Sequence, residues 1–310
     1  MSGRVFIVTP VYRDVPAFLQ LYDKIREVVE ADPKLKDQPL KFIVADDSAG
    51  RDPEIRQLGE HEDIEVITPP FNLGHQRAIV YALRTTADGF DDEDTVITLD
   101  ADGEDRPEDI PRLLAELDQS DDASAVVLAR RTSRKVSLAF KVFYAAFKLF
   151  FRALTGTVIR TGNFAAYHGS VVGIIRRHPH FDLAYSSALN ALDLEVHLVP
   201  CARGARYAGE SRMNLQRLIQ HGLSMLVPFT DRLALRAMLA FGTTVMLSVA
   251  MAVTLVVLRL AGTDVPDWTL YTLLGLFVCA LISLGNFVVL FVVFSQSRGV
   301  SLSGLEQDRR

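Results

Sequence analysis

Through roughly the first two thirds of the chain, short apolar runs rich in β-branched residues alternate with stretches of helical periodicity, and two long uncharged apolar runs fill much of the remainder. The short runs are Val5–Val8, Lys41–Ala45, Glu65–Ile67, Thr95–Leu99 and Ala125–Ala129, and the helical patterns fall around 16–30, 53–60, 73–86 and 107–118. Runs of this length bounded by turn residues predict strands, and apolar positions recurring every three to four residues predict helices. Alternating strand and helix predict an α/β domain with a mostly parallel sheet and crossover helices.

The long runs, Ala237–Leu258 and Leu270–Phe294, contain no formally charged residue. Each exceeds the length needed to cross a bilayer as a helix. The linker between them, Arg259–Thr269, holds Gly262, Pro266 and Trp268, so the spans, at about 236–259 and 269–295, are predicted to form a hairpin with an interfacial aromatic. Arg232 and Arg236 precede the first span, and Arg298, Arg309 and Arg310 follow the second. The loop has only Arg259, beside Asp264 and Asp267. Positive residues stay on the cytoplasmic side, which predicts a multi-pass protein of the cell (inner) membrane with both termini in the cytoplasm. The expected division is a cytosolic domain over 1–230 and a membrane domain over 231–310 that ends in a short cytosolic tail.

Two further segments have the composition of interfacial helices, about 136–154 and 213–230. In the first, Phe140, Phe143, Tyr144, Phe147, Phe150, Phe151 and Leu154 are interleaved with Lys141, Lys148 and Arg152. A core helix is the competing reading. Val5–Val8 is too short for the apolar region of a secretory signal. The net charge of −5 over 310 residues argues against a general nucleic-acid binder. Cys201 and Cys279 have neither metal-ligand nor disulfide-framework spacing.

The candidate chemistry lies at the strand exits. Thr98-Leu99-Asp100-Ala101-Asp102-Gly103-Glu104 places three acids at alternate positions leaving a strand. Such a set can converge on one side as an oxygen-rich site for Mg²⁺ or Mn²⁺, with a diphosphate supplying the remaining ligands. Pro107 is placed to open the following helix. The other exits carry Pro10, Tyr12 and Asp14; Asp46, Asp47 and Ser48; Asn72 and His75; and Arg130, Arg131, Ser133 and Arg134. Open α/β sheets bind ligands at this edge. No Gly-x-Gly-x-x-Gly follows the first strand and no Gly-Lys-Ser/Thr loop is present, so phosphates are expected to be held by metal and arginines.

The order Pro10-Val11-Tyr12, Asp46-Asp47, Asn72-Leu73-Gly74-His75, Asp100-Ala101-Asp102, Arg203-x-x-Arg206-x-x-Gly209-Glu210-Ser211-Arg212 and terminal hairpin resembles membrane-associated family-2 glycosyltransferases. The likeness is to polyprenyl-phosphate glycosyltransferases and dolichol-phosphate mannose synthases, and it covers essentially the whole chain. It implies a GT-A-like domain and inverting, hexosyl-type transfer from a UDP- or GDP-linked sugar to a polyprenyl phosphate in the lipid bilayer, for cell-envelope glycan or glycoconjugate synthesis. The same resemblance puts Pro10, Tyr12, Asp14, Asp46, Asp47 and Asn72 on the nucleotide sugar. Asp100, Asp102 and Glu104 fall on the metal, with Asp100, Asp102 and Asn163 as catalytic positions.

Arg131, Arg134, Arg206, Ser211 and Arg212, joined by Arg203, are candidate acceptor-phosphate ligands, because guanidinium forks match phosphate oxygens. A basic loop on anionic head groups is the alternative. Many relatives carry Asp-Phe-Arg where this chain has Asn163-Phe164-Ala165, so the carboxylate becomes an amide that cannot accept a proton. Arg13-Asp14 replaces the usual Asn-Glu.

Two other functions stay open. A processive polysaccharide or glycolipid synthase would be expected to carry Gln-x-x-Arg-Trp, yet the only tryptophan is Trp268. An inactive sugar-nucleotide-binding membrane scaffold would not need three metal-competent acids. Gly275, Cys279 and Ser283, at four-residue spacing, would permit close helix contact in a homo-oligomer.

Overall fold

The structure, a computed structural model, describes residues 3–132, 138–157, 161–182, 184–207, 222–263, 266 and 268–297, with side chains described except at 138–144, 146, 290 and 293–297. The chain divides into two compact units, Met1–Tyr144 with Ile159–Pro228, and Ala145–Val158 with Phe229–Arg310.

The first unit is built on a seven-stranded sheet. Its strands are β1 (Val5–Val11), β2 (Leu40–Asp46), β3 (Ile64–Ile67), β4 (Thr95–Thr98), β5 (Val126–Arg131), β6 (Thr161–His168) and β7 (Val196–Cys201). Their order across the sheet is β3-β2-β1-β4-β6-β5-β7. Every described pairing is parallel except those of β6, which runs antiparallel to both β4 and β5. The start of β6 therefore lies at the edge where the other strands end.

Alternate residues of each strand face opposite layers. Ile7, Phe42, Ile97 and Val127 pack with Phe18, Leu21 and Ile25 of α1 (Val15–Ala31) and Leu113 and Leu117 of α3 (Ile110–Leu117). Val8, Ile43, Val96 and Val126 pack on the other face with Ile79 and Leu83 of α2 (His75–Thr85), Val172 and Ile175 of α5 (Gly169–Arg177), and Tyr185 and Leu189 of α6 (Tyr185–Ala191). A sheet buried on both faces explains the continuous apolar runs.

The predicted strands and the helical patterns at 16–30 and 73–86 are present. The pattern at 53–60 forms a 3₁₀ helix, Pro53–Glu60, whose N-cap Asp52 accepts from Glu54 N. Pro107 opens a short 3₁₀ turn, Pro107–Asp109, that leads into α3. Strand β6 has weak strand propensity, with Gly162, Asn163, Ala165 and Ala166 in its sequence, and is fixed by neighbours on both sides. Pro200 is tolerated in β7 because that strand is an edge.

In the second unit, α7 (Thr230–Leu260) and α8 (Thr269–Ser297) pack against each other as a hairpin. Both are long and apolar enough to cross a membrane, and only 6% of each apolar window is buried. A soluble core helix would bury that surface. A Schellman motif ends α7, with Thr263 N donating to Leu258 O at 3.1 Å and Gly262 N to Arg259 O at 3.2 Å. It needs a left-handed residue, and Gly262 supplies it with φ of 75°. Trp268 stands exposed in the linker.

Helix α4 (Leu138–Thr155) crosses the boundary between the units. In its second part Leu149 and Phe150 are exposed, while Phe151 is buried edge-on to Phe229. Arg236 caps its end by donating to the carbonyls of Arg152 and Ala153 at 3.1 and 2.8 Å. The side chains of Phe140, Lys141, Phe143 and Tyr144, residues 213–221 of the second interfacial segment, and Asp264, Asp267, Arg298, Arg309 and Arg310 lie outside the described residues.

Candidate active site

Two acidic strand exits meet the same edge of the sheet with different partners. At the end of β2, Asp46 is fully buried. Its Oδ1 accepts from Ser48 N at 3.0 Å and Ser48 Oγ at 2.5 Å, and its Oδ2 accepts from Gly50 N at 2.8 Å. Asp47 Oδ1 takes the N–H groups of Leu73 and Gly74 at 2.7 and 3.1 Å, while Asn72 Nδ2 donates to the Asp47 carbonyl at 2.7 Å. Burial pushes the Asp47 carboxyl above its ordinary range, and the two backbone donors act against that rise. These acids fold the loops around them.

Pro10 lies beyond the last β1–β4 pair, Val8↔Thr98, so its missing N–H leaves that ladder intact. Tyr12 is exposed, with the Arg13 guanidinium 5.8 Å from its ring centre. Arg13 adopts φ of 51°, a left-handed conformation costly for a residue with a side chain. Asp14 occupies the N-cap position of α1. Pro10, Tyr12, Asp14, Asp46, Asp47 and Asn72 thus sit on the exits of β1 and β2 and the approach to α2, one half of the edge.

The other half is the turn after β4. Asp100 Oδ1 accepts from Asn163 Nδ2 at 2.8 Å, and Asp100 Oδ2 lies 4.0 Å from Arg131. Asp105, missed by the sequence reading, is buried behind them. It accepts from Arg131 at 3.0 Å and from Asp100 N at 3.3 Å. Burial raises its carboxyl, Asp100 adds to the rise, and Arg131 opposes it. Asp102 Oδ2 pairs with Arg206 at 2.6 Å, and Glu104 pairs with Arg203 and, at 3.6 Å, with Arg206. Burial, then the charge of Asp100, pushes the Asp102 carboxyl up to about 6.

The strap 203–207 lies directly on this acidic turn. Tyr207 N donates to Asp102 O and Gly204 N to Glu104 O, both at 2.8 Å. A Cβ on Gly204 would come 2.4 Å from Gly103 O, and one on Gly103, at φ of 82°, would come 2.6 Å from the Tyr207 ring. Only glycine at both positions allows this approach. That pair was the available sequence signal for the strap.

Asn163 is 2% exposed, and its Oδ1 has no partner among the described residues. Its Nδ2 donates to Asp100, which fixes the orientation of that carboxylate. Arg131 and Arg206 are thus both engaged by acids of the turn; Arg134, Ser211 and Arg212 lie outside the described residues. Among the described residues no three acidic, histidine or cysteine side chains are grouped so as to hold a metal ion. The three acids leave β4 together, but Arg203 and Arg206 engage Asp102 and Glu104. A cation would meet oxygen donors of the right chemistry at Asp100 and Asp102, where crowded negative charge and the unpartnered Asn163 Oδ1 are both relieved by positive charge.

The sequence model of the family described as Glycosyl transferase family 2 matches residues 6–175. The undecaprenyl-phosphate 4-deoxy-4-formamido-L-arabinose transferase of Edwardsiella ictaluri is 28% identical over 91% of this chain and 84% of its own. The protein of the same name from Proteus mirabilis is 29% identical over 90% and 85%. Among solved structures, glucosyl-3-phosphoglycerate synthase from Mycobacterium tuberculosis, in complex with Mn²⁺, UDP-glucose and phosphoglyceric acid, aligns with TM-score 0.49 and 15% identity over 75% of this chain and 80% of that one.

Proposed function

The chain belongs to glycosyltransferase family 2, with the GT-A-like fold, and from that premise we propose that it moves a sugar from a nucleotide-sugar donor to a membrane polyprenyl phosphate, inverting the anomeric carbon. The observation that carries the reading is the pairing of Asp102 and Glu104 with Arg206 and Arg203 at the ligand edge of the sheet. Acids suited to a cation and diphosphate there stand beside arginines suited to a second phosphate. The names of the relatives, alike over about nine tenths of this chain, support a polyprenyl-phosphate acceptor.

In this reading the loops shaped by Asp46, Asp47 and Asn72, with Pro10, Tyr12 and Asp14, receive the nucleoside of a UDP- or GDP-linked, hexose-type donor. Asp100 and Asp102 would hold Mg²⁺ or Mn²⁺, and Glu104 joins them only by releasing Arg203. When bound, such a cation neutralises charge growing on the departing nucleoside diphosphate. Arg206 and Arg131, with Arg203, Arg134, Ser211 and Arg212, align the acceptor phosphate. An acceptor oxygen forms a bond to the anomeric carbon as the bond from that carbon to the diphosphate oxygen breaks. The phosphate is already anionic near neutral pH, so Asn163 need not take a proton; it orients Asp100 instead.

The acceptor sets the place. Residues 1–230 work in the cytosol, α7 and α8 span the inner membrane with both termini cytoplasmic, and the exposed Leu149 and Phe150 of α4 lie in the interface.

Purified protein in detergent, given radiolabelled UDP- and GDP-sugars with a short-chain polyprenyl phosphate, should move label into the lipid phase, with one nucleoside diphosphate released per sugar. Loss of a charge-assisted contact predicts at least about a tenfold fall in transfer efficiency for Arg206→Ala, with donor affinity nearly unchanged. Nucleotide release that does not depend on the lipid phosphate would overturn the reading.

A further inference from the structure

Helix α6 crosses behind both halves of the site, and two adjacent residues tie it to each. Ser186 Oγ accepts from Gln76 Nε2 at 3.1 Å, at the start of α2, directly after the Asn72–Gly74 segment bound by Asp47. Tyr185 Oη lies 2.9 Å from Thr98 Oγ1, at the end of β4, and 2.9 Å from Tyr167 Oη on β6. Thr98 Oγ1 also donates to the Asn163 carbonyl at 2.5 Å. Tyr185 gives its one hydroxyl proton to Tyr167, so Thr98 is the donor in both of its contacts, its single proton shared between Tyr185 Oη and the Asn163 carbonyl. The relay continues through the Asn163 side chain to Asp100.

The position of Asn163 explains why this relay matters. The described β4–β6 ladder ends at Thr98↔Ala165, so Asn163 lies past its last pair. The Thr98 hydroxyl holds the Asn163 carbonyl there. All members from Tyr167 to Asn163 are buried to 2% exposure or less. Burial raises both tyrosines above their ordinary range, so they remain neutral hydroxyls able to donate. A buried hydroxyl with no partner is costly, which restricts Tyr185, Thr98 and Asn163 to one arrangement.

We propose that Tyr185, acting through the Thr98 hydroxyl, is a positioning residue that sets the Asn163 amide and thereby the orientation of Asp100. The inference rests on the reading of Asp100 and Asp102 as the reacting edge. It adds a helix that no acidic or basic motif marks.

The test compares Tyr185→Phe, Thr98→Val and Thr98→Ser with wild type in steady-state transfer, with thermal unfolding as a control on folding. Losing one hydrogen bond from the relay should lower kcat about five- to tenfold in Tyr185→Phe and Thr98→Val, with donor KM within about twofold. Combining them should cost little more than either alone, because both break one chain. Thr98→Ser keeps the hydroxyl and should restore kcat to near wild type. If Tyr185→Phe does not fold, the Thr98 pair decides alone. Unchanged kcat in Tyr185→Phe or Thr98→Val, a loss confined to donor KM, or Thr98→Ser as slow as Thr98→Val would overturn the proposal. Asp102→Asn, run in parallel, separates the two readings: full activity in that variant overturns the site and this inference together, whereas an inactive Asp102→Asn beside a fully active Tyr185→Phe overturns only the positioning role.

Discussion

The Asp46–Asp47 loop and the Asp100–Asp105 turn use the same residue type at the ends of two parallel strands, and they differ in what satisfies the carboxylates. Asp46 and Asp47 take backbone N–H groups of Gly50, Leu73 and Gly74 and the Ser48 backbone and side chain. Those donors belong to the loops themselves, so the acids act as architecture. Asp100, Asp102, Glu104 and Asp105 take the side chains of Asn163, Arg131, Arg203 and Arg206, in addition to backbone donors within the turn. A guanidinium can exchange one anionic partner for another without unfolding the chain. Exchangeable charge marks the half of the edge suited to chemistry.

Substitution in the reactive half should give the largest effect. Asp102→Asn removes a charge while keeping the shape, and transfer is expected to fall by about a hundredfold or more, the scale seen on removing one preorganised electrostatic contact. Thermal stability should not fall below wild type, because the ionised Asp102 is itself unfavourable in the fold. Transfer rates and an unfolding scan on the same preparation check both parts, and a destabilised Asp102→Asn would erase the contrast.

The matching change in the architectural half should do the reverse. Asp46→Ala leaves the donors of Ser48 and Gly50 without their acceptor, a loss of about 2–3 kcal/mol. Denaturant unfolding should show it as a lower midpoint, with nucleotide binding weakened because the loop is displaced. An Asp46→Ala protein with wild-type stability would mean that this carboxylate is held for a ligand.

A smaller effect concerns pH. In the folded protein the Asp102 carboxyl is raised to about 6, against an ordinary value near 4. Between these values the folded state binds more protons than the unfolded one, so this group makes stability fall as pH rises from about 4 to about 6. The favourable contribution is present below the unfolded value and lost through the folded one. Mg²⁺ bound at Asp102 should flatten that slope. Melting temperatures across this window, with and without Mg²⁺, should differ by about 2–5 °C in wild type, and Asp102→Asn should show no such difference.

The layout of this edge was legible because each element spoke locally. Apolar runs gave β1 to β5, and Asp46, Asn72 and Asp100 stood at their exits. The reversed strand β6 was not legible: Gly162, Asn163, Ala165 and Ala166 carry little strand propensity, and its neighbours on both sides, β4 and β5, fix it. Asp105 carried no signal in the sequence because only folding brings Arg131 to it. Tyr185 and Thr98 belong to segments far apart in sequence, and nothing local marks a hydroxyl that will meet another across the sheet. The sequence reading assigned Arg206 to the acceptor, and its pairing with Asp102 emerges only when the strap docks on the turn.

The measurement that tests the contrast most directly is nucleoside-diphosphate binding by calorimetry, with UDP and GDP in parallel, each with Mn²⁺ and with chelator. The account predicts that the preferred nucleotide binds wild type at least about tenfold more tightly with Mn²⁺. Asp102→Asn should lose that dependence while keeping the weaker binding seen in chelator, since the nucleoside half is intact. Equal affinity with and without Mn²⁺ in wild type, or full Mn²⁺ dependence retained in Asp102→Asn, would contradict the assignment of the acidic turn as the cation and diphosphate site.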